Sequence, residues 1–154
     1  MSRRAEIELS PEEQRELIES ERIVVVSTIG PRGWPHSMPL WYVPRDGEIW
    51  IYTYAKSQKV RNLERDPRAT LVVETGHEYS ELRGVEIEAE AEVHRDPDLV
   101  FDLVKELTER YAGGAQVDEA HAEALRAQAR KRVAIRFEPK RVATWDHRKL
   151  GGRY

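Results

Sequence analysis

A short basic segment at residues 57–63 (SQKVRNL) combines a hydroxyl, cations and an amide within two helical turns. Ser57 is a typical helix N-cap, and Val60 and Leu63 form an i, i+3 apolar pair. The first backbone N–H groups of a helix lack intrahelical acceptors and carry partial positive charge, so this helix start could bind a phosphate group. The alternative is an amphipathic turn whose charges face only water. The cations concerned are Lys56, Lys59 and Arg61.

The segment 34–43, which precedes this helix, is predicted to be an unusual β-strand. Its two prolines, Pro35 and Pro39, are four residues apart, so both missing N–H donors fall on the same side of the strand. Such a strand lies at a sheet edge or faces something other than a neighbouring strand. The turn at residues 44–47 (PRDG) then reverses the chain, and Glu48–Tyr54 returns as the next strand.

The elements before this region form a helix and a strand. Ser10 is a good N-cap, Pro11 suits the first helical position and Glu13 can close a capping box, which predicts a helix from about residue 10 to 20. The continuous apolar run 22–29 is typical of a strand buried on both faces. The turn 30–33 (GPRG) should join it to the 34–43 strand as a hairpin.

The second half of the chain alternates between strands and helices. Arg68–Thr75 is predicted to be a strand, and residues 85–93 alternate apolar side chains with glutamates, which indicates a strand with one acidic face. A helical insert should occupy residues 97–131, in two helices separated at Gly113-Gly114. Residues 132–138 and 141–145 are predicted to be two further strands, interrupted by Pro139.

Together these elements indicate a mainly β protein with inserted helices, an α+β fold. Short connections and hairpins favour an antiparallel barrel, because parallel pairing needs a long crossover each time. No linker divides the chain, so residues 1–154 are predicted to form one domain with an N-terminal helix at about 10–20 and a helical insert at about 97–131.

Composition excludes several classes of function. The absence of cysteine excludes disulfides, thiolate metal sites and cysteine nucleophiles. The formal charge of −3 opposes nucleic-acid binding; an oligonucleotide-binding barrel would use aromatic side chains such as Trp41, Trp50 and Tyr52, but the acidic strand opposes it. No apolar run is long enough to span a bilayer and no secretory signal is recognisable, so we expect a cytoplasmic protein with no membrane partner.

We expect no metal site. The five histidines show no metal-ligand spacing such as H-x-x-x-H. The glutamates of the 85–93 strand are spread at two-residue steps and do not converge on one point, so a solvated face is the simpler interpretation.

Four strings occur in a distinctive order: STIGPRGWPHSMPLWYV, DGEIWIYT, SQKVRNLERDPRATLVVE and, near the end, RVATWDH. In order and spacing they resemble the pyridoxamine 5′-phosphate oxidase-like split β-barrel proteins, in particular the flavin/deazaflavin oxidoreductases, which use FMN or the deazaflavin coenzyme F-420. The resemblance covers residues 22–145. It implies an antiparallel split β-barrel that forms a homodimer, with two cofactor sites at the subunit interface.

The resemblance also implies which residues contact the cofactor. The ring would lie against the proline-bearing strand, the phosphate would bind at the helix start, and a tryptophan near the C-terminus would pack beside the ring from one of the subunits. The implied cofactor-binding residues are His36, Ser37, Met38, Pro39, Leu40, Trp41, Tyr52, Thr53, Ser57, Lys59, Arg61, Asn62 and Trp145.

The implied activity is hydride transfer to a small conjugated or heterocyclic substrate, in which the cofactor performs the chemistry and no acid–base pair is required. FMN and coenzyme F-420 both remain candidates; the deazaflavin is preferred because Lys56, Arg61 and Arg65 could hold its anionic tail. The pyridoxal phosphate-binding segment of pyridoxamine phosphate oxidase itself is missing, since the C-terminus offers only Trp145, His147 and Arg148.

Two alternatives stay open. The chain could be a non-catalytic binder that stores or senses a flavin or haem, with His77 or His147 as an axial ligand. His36 is a possible contact of the ring or substrate, but it could equally pair with backbone near a strand end. The tyrosines Tyr42, Tyr52 and Tyr54 could donate to a substrate, although such residues more often fill a barrel wall.

Overall fold

The computed structural model describes residues 3–151 and contains seven β-strands and four α-helices within that range. The two terminal stretches included in the predicted domain, residues 1–2 and 152–154, lie outside the described residues. The strands are β1 (Ile23–Ile29), β2 (Pro35–Trp41), β3 (Val43–Arg45), β4 (Glu48–Tyr54), β5 (Arg68–Thr75), β6 (Arg83–His94) and β7 (Arg132–Asp146). The helices are α1 (Pro11–Ser20), α2 (Gln58–Arg65), α3 (Pro97–Tyr111) and α4 (Glu119–Ala129).

All seven strands belong to one antiparallel sheet with the order β2-β1-β5-β6-β7-β4-β3. The two edge strands, β2 and β3, are separated in sequence by Tyr42 alone. Two consecutive peptide units span no more than about 7.6 Å, so the opposite edges of the sheet must come close together. The sheet is therefore curled into the barrel-like α+β architecture that the sequence predicts.

One face of the curled sheet encloses the main hydrophobic core. Alternate residues of β1, β4, β5, β6 and β7 point inward, as period-two side chains must. Helix α1 contributes the fully buried Leu17, and α2 contributes Val60 and Leu63. Ser10 caps α1 through the predicted capping box, because its hydroxyl accepts from the Glu13 N–H while the Glu13 carboxylate accepts from the Ser10 N–H.

The helices α3 and α4 cover the other face of the sheet at β3, β4 and β7. Asp96 caps α3 and Pro97 occupies its first turn, as the sequence predicts. The buried residues between helices and sheet are Val43, Val100, Leu103, Leu107, Ala129 and Ala134. The helical insert therefore forms a second, smaller hydrophobic cluster.

The predicted strand 34–43 is wrong in its extent, although its predicted hairpin with β1 is present. It divides at Tyr42 into β2, which pairs only with β1, and β3, which pairs with β4. Tyr42 is fully buried, and its backbone N–H donates to the Tyr111 hydroxyl at 3.2 Å instead of to a strand. The turn is correspondingly shorter: only Asp46 and Gly47 lie between the strands, with φ of 51° and 79°, the left-handed pair of a type I′ hairpin.

Two further strand predictions are corrected. Strand β1 is not buried on both faces; its burial alternates, because only one of its faces meets the core. Pro139 does not end a strand, since β7 runs continuously from Arg132 to Asp146. The ladder with β6 instead shifts register there: Ala89 faces Pro139 while Glu88 faces Arg141, so the intervening Lys140 forms a bulge that accommodates the proline.

The acidic face of β6 is solvated and ion-paired, as expected from its alternation. Glu88 pairs with Arg141, and Glu90 pairs with Lys140. No three histidine, aspartate or glutamate side chains within residues 3–151 converge to hold a metal ion. Among the helices of that range, none has the length and apolar character needed to cross a bilayer.

Candidate functional site

The side chain of Lys59 is buried at the start of α2, with only 8% of the residue exposed. Its ammonium group donates to the Thr53 hydroxyl at 3.1 Å. No carboxylate within residues 3–151 forms an ion pair with it, and burial lowers the pKa of Lys59. An ammonium group has three donors and is costly to bury without a counter-charge. Within residues 3–151 the buried positive charge of Lys59 therefore has no counter-charge.

Ser57 lies beside this lysine at the N-cap position of α2. An N-cap hydroxyl normally accepts a hydrogen bond from the second or third helical N–H. Here the Ser57 hydroxyl makes no such bond, and its oxygen is buried without any partner in the described chain. The helix start thus presents a free hydroxyl and uncapped backbone N–H groups on the same helical turn as Lys59.

Asn62 fixes α2 against β1. Its amide nitrogen donates to the Thr28 hydroxyl at 2.9 Å, and its amide oxygen accepts from Gln58 at 2.8 Å. Arg65 donates to the same oxygen at 3.4 Å and also to the backbone oxygen of Ile29. We call the five residues Thr28, Thr53, Ser57, Lys59 and Asn62 the Lys59 cluster.

Replacing Asn62 with alanine should destabilise the protein by about 1 to 3 kcal/mol, because Asn62 is fully buried and the change leaves the Thr28 hydroxyl without its donor. Urea unfolding followed by circular dichroism measures this effect. Arg61→Ala is the matched control on the same helix, since Arg61 is exposed. Equal unfolding midpoints for the two variants would show that the Asn62 bonds do not anchor the helix.

His36 adds a polar group from β2. It lies directly opposite Thr28 in the β1–β2 ladder, and its backbone oxygen accepts from the Thr28 hydroxyl at 3.4 Å. The residue is half-buried, and its ring atom Nδ1 is buried without a hydrogen-bond partner in the described chain. The ladder therefore places His36 next to the Lys59 cluster, with Thr28 between them.

The remaining β2 residues alternate between the two faces of the strand. Met38 and Leu40 share the inner face with His36, and Leu40 packs against the core. Ser37, Pro39 and Trp41 lie on the outer face, where the Ser37 hydroxyl contacts that of Ser27 at 2.8 Å. The whole strand is exposed or half-buried, and only one of its edges is paired. The prediction of an edge strand is confirmed.

Two implied cofactor contacts lie away from the Lys59 cluster. Tyr52 is on the opposite face of β4 from Thr53, where it packs against the α3–α4 insert with the Arg132 guanidinium 4.6 Å from its ring centroid. Trp41 stacks on Tyr111 of α3, with ring centroids 4.3 Å apart. Both rings therefore pack against the helical insert.

Trp145 lies in a different part of the sheet. Its ring covers Gly84 on the neighbouring strand, where an added Cβ would be 2.2 Å from the ring atom Cζ2. Gly84 pairs with Glu74 near one end of β5, whereas Ala69 near the other end of β5 pairs with Thr28, the residue opposite His36. Within one subunit, Trp145 is therefore remote from the Lys59 cluster.

Comparison with known proteins identifies the relatives of this chain. The family model described as pyridoxamine 5′-phosphate oxidase matches residues 10–146. The chain belongs to this family. The match spans every strand of the sheet and includes the whole Lys59 cluster. No curated protein matches the chain.

Solved structures give the same picture of the pyridoxamine 5′-phosphate oxidase fold. A conserved hypothetical protein, Rv2991 from Mycobacterium tuberculosis, is 39% identical with a TM-score of 0.90, covering 100% of this chain and 95% of that one. A structure described as an F420 reductase is 22% identical with a TM-score of 0.68, covering 87% and 98%. The haem storage protein HutZ from Vibrio cholerae is 16% identical with a TM-score of 0.67, covering 87% and 94%. The last two show a shared fold only.

Thr28 belongs to the Lys59 cluster but was not predicted from the sequence as a site residue. It stands near the end of β1, and its hydroxyl joins Asn62 to the backbone of His36. A pair of hydroxyl residues, Ser27-Thr28, in an otherwise apolar strand was the available signal. Buried hydroxyl groups need hydrogen-bond partners. The polar side chains of α2 are candidates in the sequence for a partner of Thr28.

A groove of about 470 Å³ opens beside Ile29 and Pro35. Two cations of its rim are already neutralised, because Arg68 pairs with Asp66 and Lys140 pairs with two glutamates. Of the Lys59 cluster, only Thr28 contributes to its wall. This groove is consequently not an extension of the cationic site.

Proposed function

We propose that the Lys59 cluster binds the phosphate of a flavin or deazaflavin and that the protein is an oxidoreductase acting on a small conjugated or heterocyclic substrate. The observation that carries this proposal is the buried ammonium group of Lys59, which has no carboxylate partner within residues 3–151. A phosphate would supply the missing negative charge and accept charge-assisted hydrogen bonds. Membership of the pyridoxamine 5′-phosphate oxidase family supports the choice of ligand class.

The residues present fit a phosphate group. The unpartnered Ser57 hydroxyl and the first backbone N–H groups of α2 are donors that a phosphate can accept from. Lys59 retains two unused donors after its bond to Thr53. When bound, such a cofactor supplies the hydride, while the protein supplies placement, electrostatics and exclusion of water.

Between the two cofactors we propose the deazaflavin coenzyme F-420. Its longer anionic tail calls for cations beyond the phosphate site. Lys56 and Arg61 are exposed near the start of α2 and form no ion pair in the described chain, so they are available. Arg65 is less available, because it already donates to Ile29 and Asn62.

We also propose a homodimer with the ring bound along β2. Apolar side chains on β1 and β2 remain open to solvent in one subunit, including Ile23, Met38 and Trp41 at 44%, 41% and 51% exposure. A second copy could cover them and bring its Trp145 toward the ring. Light scattering at micromolar protein should give twice the monomer mass of 17.9 kDa; a monomer at all concentrations would contradict this arrangement.

Activity as a pyridoxamine phosphate oxidase is not proposed. Arg148 is occupied by the carboxylate of Asp146 at 2.6 Å, and His147 Nδ1 contacts the backbone oxygen of Tyr79 at 2.9 Å. These C-terminal side chains are therefore committed to local contacts and are poor candidates for holding a second phosphorylated ligand.

The experiment that tests the proposal is parallel titration of the purified protein with FMN and with coenzyme F-420. Fluorescence quenching of coenzyme F-420 at micromolar protein, with weaker binding of FMN, is the expected result. Absence of binding by either molecule would overturn the proposal. A Soret absorption band in the purified protein, with haem binding in place of both cofactors, would establish the storage or sensing alternative.

Phosphate affinity should fall as the pH rises. Burial lowers the pKa of Lys59 below its ordinary value of 10.5, so the empty site loses its positive charge at a lower pH than a free lysine does. Bound phosphate favours the charged ammonium, and binding is therefore coupled to proton uptake above the pKa of the empty site. Calorimetric titration with FMN in alkaline buffers of different ionisation enthalpy measures this uptake. Affinity that rises with alkaline pH would contradict the assignment of Lys59.

A further inference from the structure

The His36 imidazole has a buried nitrogen that the fold leaves unused. Nδ1 of His36 has no hydrogen-bond partner in the described chain, and the ring makes no ion pair there. A buried polar atom without a partner is costly and calls for an explanation. On β2, the two prolines leave two of the seven backbone nitrogens without a proton, which reduces the number of backbone donors along this strand.

Among the residues at this end of the sheet, His36 is the one best suited to transfer a proton. β1 carries no charged residue. Of the charged groups brought there by α2 and the start of β5, Arg65 contacts Ile29 and Asp66 pairs with Arg68. Lys59 and Arg61 are the cations assigned above to the anionic groups of the cofactor. Histidine is the side chain that proteins use most often for proton transfer to a reacting group.

We propose that His36 delivers the proton that accompanies hydride transfer to a conjugated carbonyl substrate; this rests on the proposed function. A bound reduced flavin or deazaflavin would supply the hydride, with which the substrate carbon β to the carbonyl gains a C–H bond. The C=C π bond breaks and its electron pair moves toward the carbonyl oxygen. The protonated imidazole then gives its Nδ1 proton to the α carbon, the N–H electron pair stays on Nδ1, and solvent reprotonates the ring.

His36→Asn is the informative variant. The asparagine amide nitrogen occupies nearly the position of Nδ1, so it keeps a hydrogen-bond donor there, but it has no proton to transfer near neutral pH. Binding of coenzyme F-420 or FMN should therefore change little in His36→Asn. His36→Ala removes the donor as well and should weaken binding of the ring.

Two measurements test the proposal. In the wild type, binding of the cofactor should shift the ¹⁵N resonance of His36 Nδ1, assigned by its loss in His36→Asn, because a new hydrogen bond forms. Reduction of cyclohexenone by the cofactor-loaded protein should fall by about 100-fold or more in His36→Asn.

His77→Asn is the control, because His77 is exposed on the loop after β5, whereas the residue of β5 that faces Thr28 is Ala69 at the start of that strand. It should leave both the cofactor-induced shift and the rate unchanged. If the cofactor binds but the His36 resonance does not move, or the wild type reduces no cyclohexenone, or His36→Asn keeps the wild-type rate, the proposal for His36 is overturned while the proposed function stands. If no cofactor binds, the proposed function fails first.

Discussion

Lys59→Met should strongly weaken phosphate binding and, at the same time, make the protein without cofactor more stable. The loss of binding should be on the order of 2 to 4 kcal/mol, because a charge-assisted hydrogen bond and its donor disappear together. Stability should rise by about 1 to 2 kcal/mol, because a buried and unpaired ammonium is replaced by an apolar side chain of similar length. Part of the gain is offset by the lost bond to Thr53.

The sign of the stability change distinguishes a binding residue from a structural one. Urea unfolding of the ligand-free proteins measures it, and titration with FMN and coenzyme F-420 measures the affinity. Lys56→Met, on the exposed side of the same helix start, should leave stability unchanged. Lys59→Glu should lose binding as well. If Lys59→Met binds both cofactors with wild-type affinity, the phosphate is not held by this lysine.

The stabilising effect of the Lys59 substitution should depend on pH. The folded state holds the pKa of Lys59 below 10.5, so the unfolded chain binds the proton more tightly and stability of the wild type rises with pH through that window. The destabilisation of the folded state by the buried Lys59 ammonium is fully present below the lowered pKa and disappears above pH 10.5. Wild-type and Lys59→Met unfolding free energies should therefore converge in alkaline buffer.

Gly84→Ala should destabilise the protein by about 3 kcal/mol, at the upper end of the usual range for overpacking. The new Cβ would lie 2.2 Å from Cζ2 of Trp145 and 2.7 Å from two more ring atoms. The ring cannot absorb this by a small shift, since the ladder fixes Trp145 directly opposite Gly84. Trp145 must therefore leave its position over β6.

A double-mutant cycle with Trp145→Leu isolates this contact. In the Trp145→Leu background, Gly84→Ala should cost much less, because the flexible leucine can move away from the new methyl group. Near-ultraviolet circular dichroism reports the displaced indole ring. An equal cost in both backgrounds would show that the effect of Gly84→Ala arises in the backbone of β6. If Trp145 also contacts the ring of a bound cofactor, Gly84→Ala should weaken cofactor binding in proportion.

Local patterns in the sequence were sufficient for much of the fold. The turn at 30–33 correctly predicts the β1–β2 hairpin, and the alternation over 85–93 correctly predicts the exposed, acidic face of β6. Both depend on near neighbours in the chain. The break at Tyr42 could not be predicted in this way, because its cause is the Tyr111 hydroxyl, 69 residues later on α3. Likewise, Pro139 is accommodated by a register shift that the β6 partner permits.

The candidate site was predictable to a similar extent. Residue types at the start of α2 indicate an anion site, and the structure adds that Lys59 is buried while Arg61 is exposed. That difference follows from how α2 docks on β1 through Asn62, which spacing alone does not reveal. Tyr52 and Thr53 are adjacent in sequence but face opposite sides of β4, so a strand that is near the site in sequence brings only every second side chain to it.

The single-residue connection at Tyr42 has a consequence for self-association. Long, open strand margins act as templates on which further chains polymerise into fibrils. Here one edge strand, β3, is three residues long and contacts α3. The other edge strand, β2, contains Pro35 and Pro39. Neither offers an uninterrupted row of backbone donors. Another molecule that lies against β2 therefore meets backbone donors only where no proline interrupts them, which disfavours continuous strand-by-strand growth into fibrils.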